Sequence, residues 1–201
     1  MSMTTTIGRR GSARAMALAA LLGACGGDDG PGDGTLPEGA LDLQLSSLNS
    51  SDVDDGFLEK DENIGNHTGD PWGEFIDEMT DRCGGDPAAF SVSRGTLSIV
   101  DAQGVDGFEE LFPRGVDLLF RSTQGSDEDA ETVVVASSAA PTGSGPVDLD
   151  GVGGRDDLAA LHQRLLGGDF HVGVRGSTDL TDQDDFSVDL AMSLEVVAYC
   201  E

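Results

Sequence analysis

A stretch near the C-terminus constrains the fold of this chain more than any other. Between residues 186 and 198 every second position is apolar without a break, and the residues between them are mostly small or polar. This period of two is typical of a β-strand with one buried face. The apolar series is Phe186, Val188, Leu190, Met192, Leu194, Val196 and Ala198. The pattern therefore predicts a long strand within a β-sheet protein.

Weaker alternation predicts at least five further strands, around residues 41–45, 90–99, 116–120, 132–136 and 170–174. The buried parity reverses across Arg94-Gly95, which indicates a bulge or a bend within one strand. Helix starts are indicated at Asp70-Pro71 and at Asp156, and the second helix is expected to bury Leu158, Leu161 and Leu165. Residues 48–69 are predicted as an irregular loop and residues 141–154 as a Gly/Pro/Ser-rich linker. We therefore expect a mainly β fold, an antiparallel β-sandwich of immunoglobulin-like or Greek-key type with two short helices, with a β-barrel as the alternative.

The N-terminal residues have the features of a targeting segment. Arg9, Arg10 and Arg14 precede an apolar run over residues 15–24 that is too short to span a bilayer. The run ends in Leu22-Gly23-Ala24-Cys25, which resembles the lipobox of bacterial lipoproteins. This resemblance covers about the first 26 residues and implies a type II signal peptide over residues 1–24, with a diacylglyceryl group on Cys25. It also implies a lipid-anchored protein of the bacterial cell envelope.

The segment after Cys25 favours this interpretation over an ordinary secretory peptide followed by a buried thiol. Residues 26–34 are almost entirely glycine and aspartate, and such a segment does not bury a cysteine. We expect residues 25–38 to form the lipidated cysteine and a flexible acidic tether, followed by one domain over residues 39–201. Gly26 supplies no acidic residue after the cysteine, which by the same resemblance favours the outer membrane. The orientation towards the periplasm or the cell surface is left open.

With Cys25 assigned to lipid, only Cys83 and Cys200 remain. Two leftover cysteines in an oxidising envelope compartment usually pair, so we predict a disulfide; the alternative is two free thiols. No Cys-x-x-Cys or Cys/His spacing indicates a metal or redox site.

The chain is strongly acidic, with 38 Asp and Glu against 11 Lys and Arg and a formal net charge of -27. This charge disfavours binding to nucleic acid or to anionic lipid surfaces, so the expected membrane contact is the lipid on Cys25. The simplest explanation of the acidity is a solvated surface. Two groups of aspartates are weak candidates for a calcium site: Asp52, Asp54 and Asp55, and Asp182, Asp184 and Asp185. Neither group follows the ligand order of an EF-hand loop.

Sequence motifs of catalysis are absent. The chain contains no G-x-S-x-G or H-E-x-x-H pattern, and its glycine-rich runs lack the lysine of a phosphate-binding loop. We therefore expect no enzyme and no cofactor, with calcium as the one cofactor to consider. The predicted function is a lipid-anchored envelope protein with a single binding or structural domain, whose protein or surface partner the sequence does not identify. The alternatives are a calcium-binding adhesion-type module and, less favoured, a secreted hydrolase.

Overall fold

The strands of this protein are joined by short helices and turns. The computed structural model describes residues 36–122, 130–141 and 143–201. The strands in the described residues are β1 (Glu38–Asn49), β2 (Val53–Asp54), β3 (Phe57–Asn63), β4 (Ala89–Gln103), β5 (Val116–Arg121), β6 (Thr132–Ser138), β7 (Val147–Gly151), β8 (His171–Ser177) and β9 (Ser187–Tyr199). The helices are α1 (Pro71–Cys83), α2 (Phe108–Leu111) and α3 (His162–Gly167), with 3₁₀ turns at Ser50–Asp52, Ile64–Asn66 and Ala159–Leu161.

All nine strands belong to one antiparallel sheet, in the order β1-β9-β4-β7-β6-β5-β8-β3-β2. The sheet curls into a half-barrel. The curl brings the free edge of β1 close to β3, where the Ser46 amide donates to the Glu62 carboxylate over 2.9 Å and Lys60 Nζ donates to the Ser47 carbonyl. The prediction of a mainly β, antiparallel fold with short helices, sandwich-like or barrel-like, is confirmed.

The inner face of the curled sheet holds the core. On β9 the whole apolar series found in the sequence is buried, from Phe186 to Ala198. The parity reversal across Arg94-Gly95 is also confirmed, because the register of β4 against β9 shifts between Val92 and Arg94. This bulge lets both halves of one long strand bury their apolar side chains.

Helix α1 closes the core at one end. Asp70 caps it by accepting from the Gly73 amide, Pro71 is its first residue, and Gly84 ends it with a positive φ of 71°. Trp72 on this helix is 2% exposed, and its indole Nε1 donates to the Leu165 carbonyl over 2.6 Å. Its ring lies 4.9–6.3 Å, centre to centre, from four phenylalanine rings: Phe75, Phe90, Phe120 and Phe170. This aromatic cluster joins α1 to both halves of the sheet.

The predicted loop over residues 48–69 is wrong. It contains β2 and β3, which form a hairpin around Asp55 and Gly56. Both turn residues have positive φ, 46° and 79°, as two-residue hairpin turns favour. The pattern was missed because β3 carries few apolar residues: Leu58 is fully buried, whereas Phe57 is 42% exposed.

Two smaller expectations also need correction. The segment 141–154 was expected to be a linker but contains β7, which pairs with β4 and β6. The second helix begins later than Asp156, as a 3₁₀ turn followed by α3, although its three predicted leucines are all buried.

Candidate functional site

The proposed lipidation residue, Cys25, lies outside the described residues, as does most of the tether. The described chain begins at Leu36, and β1 starts at Glu38, one residue before the expected domain start. The Pro37 carbonyl accepts a hydrogen bond of 2.8 Å from the Ala198 amide. The chain therefore enters the domain beside the end of β9.

The predicted disulfide between Cys83 and Cys200 is present. Cys83 is the last residue of α1 and Cys200 directly follows β9, and their Cα atoms lie 5.1 Å apart. This distance is ordinary for a bridged pair. The bridge joins the end of the helix that closes the core to the C-terminal end of β9.

The first aspartate group is used locally. The carboxylate of Asp52 accepts from the Asn49 amide and pairs with Lys60 at 3.3 Å. Asp54 ends β2, and Asp55 occupies the hairpin turn. The three residues thus shape the β2–β3 hairpin and do not converge on one point.

The second aspartate group lies in the exposed loop between β8 and β9. The Asp184 carboxylate accepts hydrogen bonds from the Thr181 amide and hydroxyl at 2.6 and 2.9 Å. The amide contact, reinforced by the hydroxyl, holds the pKa of Asp184 below its usual value. Asp182 and Asp185 are exposed beside it. Within residues 36–122, 130–141 and 143–201, no three His, Cys, Asp or Glu side chains are arranged to hold a metal ion.

The few basic side chains are nearly all engaged by carboxylates. In the described part of the chain, Arg155 is the one lysine or arginine that pairs with none. The other pairs are Lys60–Asp52, Arg82–Glu78, Arg94–Glu195, Arg114–Asp179, Arg121 with Glu59 and Asp61, Arg164–Asp169 and Arg175–Glu59. The guanidinium carbon of Arg155 instead lies 5.5 Å from the centre of the Tyr199 ring.

Arg155 lines a small pocket of about 220 Å³ close to the disulfide. Ala88, Ala89, Leu158 and Ala159 form its apolar wall, and Asp156 and His162 complete it. The pocket adjoins a wider surface cleft that includes Cys83, because Ala88 and His162 line both. We refer to the smaller cavity as the Arg155 pocket.

Two larger grooves lie on the outer face of the sheet. One, of about 600 Å³, crosses β3, β8, β5 and β6, where the Arg175 guanidinium lies 4.7 Å from the centre of the exposed Phe57 ring. The other, of about 400 Å³, crosses β1, β9 and β4 and is lined by His67 and small hydroxyl side chains. Both grooves are open to solvent, and polar and apolar side chains line each of them.

His67 lies where β1 and β3 approach each other. Its Nδ1 accepts from the Gln44 amide over 3.5 Å. Its Nε2 is buried, with no hydrogen-bond partner among the described residues. Burial lowers the pKa of His67, against the opposing effect of the Glu62 carboxylate. The neutral imidazole therefore helps to hold the free edge of β1.

The Arg155 pocket was not predicted from the sequence. Arg155 and Asp156 follow a glycine-rich run, and sequence alone does not show which basic residues acquire carboxylate partners. The available signal was the scarcity of basic residues, which makes each arginine informative in a chain with this many acids.

Comparison with known proteins gives little information. No protein-family profile and no curated protein matches the chain. Two solved structures, from turnip yellow mosaic virus and Desmodium yellow mottle tymovirus, are 10% and 8% identical in sequence. They cover 92% and 99% of this chain and 90% and 96% of their own, each with a TM-score of 0.26. Similarity this weak carries no argument about fold or function.

The helices in the described residues are 13, 4 and 6 residues long. In the described ranges, none is both long and apolar enough to cross a bilayer.

Proposed function

We propose that this protein is a bacterial lipoprotein, exported through the signal peptide of residues 1–24 and anchored in the cell envelope by a diacylglyceryl group on Cys25. The observation that carries the proposal is the sequence Leu22-Gly23-Ala24-Cys25 at the end of a short apolar run, preceded by three arginines. Residues between Cys25 and β1 would link the lipid to the folded domain.

The disulfide supports the export step. Structural disulfides persist in oxidising compartments such as the bacterial periplasm and are rare in the cytosol. The bond between Cys83 and Cys200 uses both cysteines that the lipobox leaves over, so each cysteine of the chain then has a role. Export as a lipoprotein would therefore account for all three cysteines, with Cys25 carrying the lipid and Cys83 and Cys200 forming the disulfide.

The domain itself is proposed to serve binding or structure and not turnover. Several serine and threonine hydroxyl groups have structural partners: Ser91 shares a hydrogen bond with Tyr199, Ser93 donates to Glu38, and Thr181 donates to Asp184. The grooves on the outer sheet face are open, as suits recognition of a partner more than exclusion of water from a reaction. By the same lipobox resemblance, the outer membrane is the proposed location.

The test is the variant Cys25→Ser, expressed as the full chain in a Gram-negative host. We expect the wild type to incorporate radiolabelled palmitate and to fractionate with outer membranes, and the variant to do neither. A matched control is the double variant Cys83→Ala/Cys200→Ala, which removes the other two cysteines and should keep the label. Equal labelling of Cys25→Ser and wild type, or membrane association of an unlabelled wild type, would contradict the proposal.

A further inference from the structure

The Arg155 pocket presents two opposite charges that have no partner within the described protein. Arg155 forms no ion pair, and the Asp156 side chain takes part in no ion pair or hydrogen bond in the described residues. We propose that this pocket binds a small zwitterion of the α-amino acid class, with its carboxylate on Arg155, its ammonium group on Asp156 and an apolar side chain against the alanine and leucine wall. The site is independent of the lipid anchor and goes beyond the proposed function.

The Arg155 guanidinium is positioned but not neutralised. The guanidinium carbon of Arg155 lies 5.5 Å from the centre of the Tyr199 ring, and the Tyr199 hydroxyl shares a hydrogen bond of 3.1 Å with Ser91. A cation–π contact does not use the N–H groups of a guanidinium, so they can still donate to a carboxylate. The Arg155 and Asp156 side chains are both exposed, and neither forms an ion pair in the described residues, so both are accessible to a ligand.

Asp156 determines which carboxylates the pocket accepts. Its backbone is fixed because its carbonyl accepts from the Ala159 amide over 3.2 Å, in the turn before α3. A simple carboxylate on Arg155 would be repelled by the Asp156 charge, and a simple amine on Asp156 would be repelled by Arg155. A ligand with a carboxylate and an ammonium group attached to the same carbon can pair with both Arg155 and Asp156.

The size and lining of the pocket select a short apolar side chain. Ala88, Ala89, Leu158 and Ala159 line the wall, and His162, whose ring centre lies 5.9 Å from that of Phe90, closes one side. A pocket of about 220 Å³ with this small apolar lining suits a short aliphatic side chain. L-valine, which carries such a side chain on an α-amino acid, is therefore the probe we choose.

The experiment is a calorimetric titration of the purified full chain with three matched probes: L-valine, 3-methylbutanoate, which lacks the ammonium group, and 2-methylpropylamine, which lacks the carboxylate. We expect saturable binding of L-valine and binding of either analogue weaker by roughly tenfold or more, the usual effect of losing one charge-assisted contact. No saturable binding of L-valine, or equal affinity for valine and 3-methylbutanoate, would overturn the proposal.

Variants assign the contacts. Arg155→Gln should weaken valine binding by roughly tenfold or more, and Asp156→Asn should abolish the preference for valine over 3-methylbutanoate. Ala159→Leu, which fills the pocket from its rim, should also remove binding. The matched control is Arg164→Gln, which deletes an exposed arginine on the neighbouring α3 that already pairs with Asp169. If Arg164→Gln weakens binding as much as Arg155→Gln, or if Arg155→Gln binds as the wild type does, the pocket is not the site.

Discussion

Removal of the Cys83–Cys200 bridge is expected to cost much of the stability of the domain. The bridge joins residues 117 positions apart. In the chain-entropy account, a cross-link that closes a loop of this length stabilises the folded state by about 5 kcal/mol, since it restricts the unfolded chain. The variant Cys83→Ala/Cys200→Ala should therefore lose about 4–5 kcal/mol of unfolding free energy at 25 °C. For a domain of this size that loss corresponds to a melting temperature lower by roughly 10–20 °C.

Urea unfolding followed by tryptophan fluorescence measures this loss directly. Trp72 is the only tryptophan, is buried, and lies on the helix that carries Cys83. Far-UV circular dichroism should be recorded in parallel, because a transition seen by Trp72 alone would report local detachment of α1 instead of global unfolding. The matched control is Cys25→Ser, which removes a cysteine and keeps the bridge. A loss below about 1 kcal/mol in the double variant, or two free thiols in the unreduced wild type, would refute the reasoning.

Two further predictions concern charge. The stability that neutral His67 contributes should be lost as the pH drops from 7 to 5, because burial lowers the pKa of His67 in the folded state and the unfolded state binds more protons once the pH passes the ordinary histidine value of 6.5. Urea titrations at several pH values should show that the stability difference between the wild type and His67→Gln shifts in favour of the variant as the pH drops, and a difference that does not change with pH would contradict this account. Sodium chloride should raise the melting temperature steadily by screening a formal charge of -27. Calcium and magnesium at equal ionic strength should act alike in thermal melts, whereas a saturable, calcium-selective shift lost in Asp52→Asn or Asp182→Asn would establish a calcium site.

The parts of the fold that sequence predicted well are those with strong local signals. The alternation in β9 predicted both the strand and its buried face, and the Asp70-Pro71 start together with the Gly84 stop predicted α1. The bulge in β4 was also visible, because a parity reversal needs an extra residue in one strand.

The weaker elements were missed where polar residues dominate. Strand β3 carries a single fully buried leucine, Leu58, and β7 has only Val147 and Leu149 as apolar residues within a glycine-rich stretch. The Asp55-Gly56 dipeptide is a sequence typical of two-residue hairpin turns and is a local signal for the first hairpin. The strand order, by contrast, depends on contacts between distant residues, and no local pattern encodes it.

The candidate sites divide in the same way. The disulfide was predictable by counting cysteines, because two remain once Cys25 is assigned to the proposed lipid. The Arg155 pocket was not predictable, because it depends on which arginines find carboxylates once the sheet has curled. The two aspartate groups were chosen for their adjacency in sequence, and in the structure Asp52 and Asp184 each accept a hydrogen bond from a backbone amide within their own turn. The calcium hypothesis stays a prediction.

Mass spectrometry can test directly whether this protein is a lipoprotein. Intact mass and N-terminal peptides should be measured on the protein extracted from bacterial membranes. The account predicts a mature chain that begins at Cys25, lacks residues 1–24 and carries a diacylglyceryl group on the Cys25 sulfur. The same spectrum should show Cys83 and Cys200 joined in one disulfide-linked peptide pair. A chain that retains residues 1–24, begins at another residue or carries no lipid mass on Cys25 would contradict it.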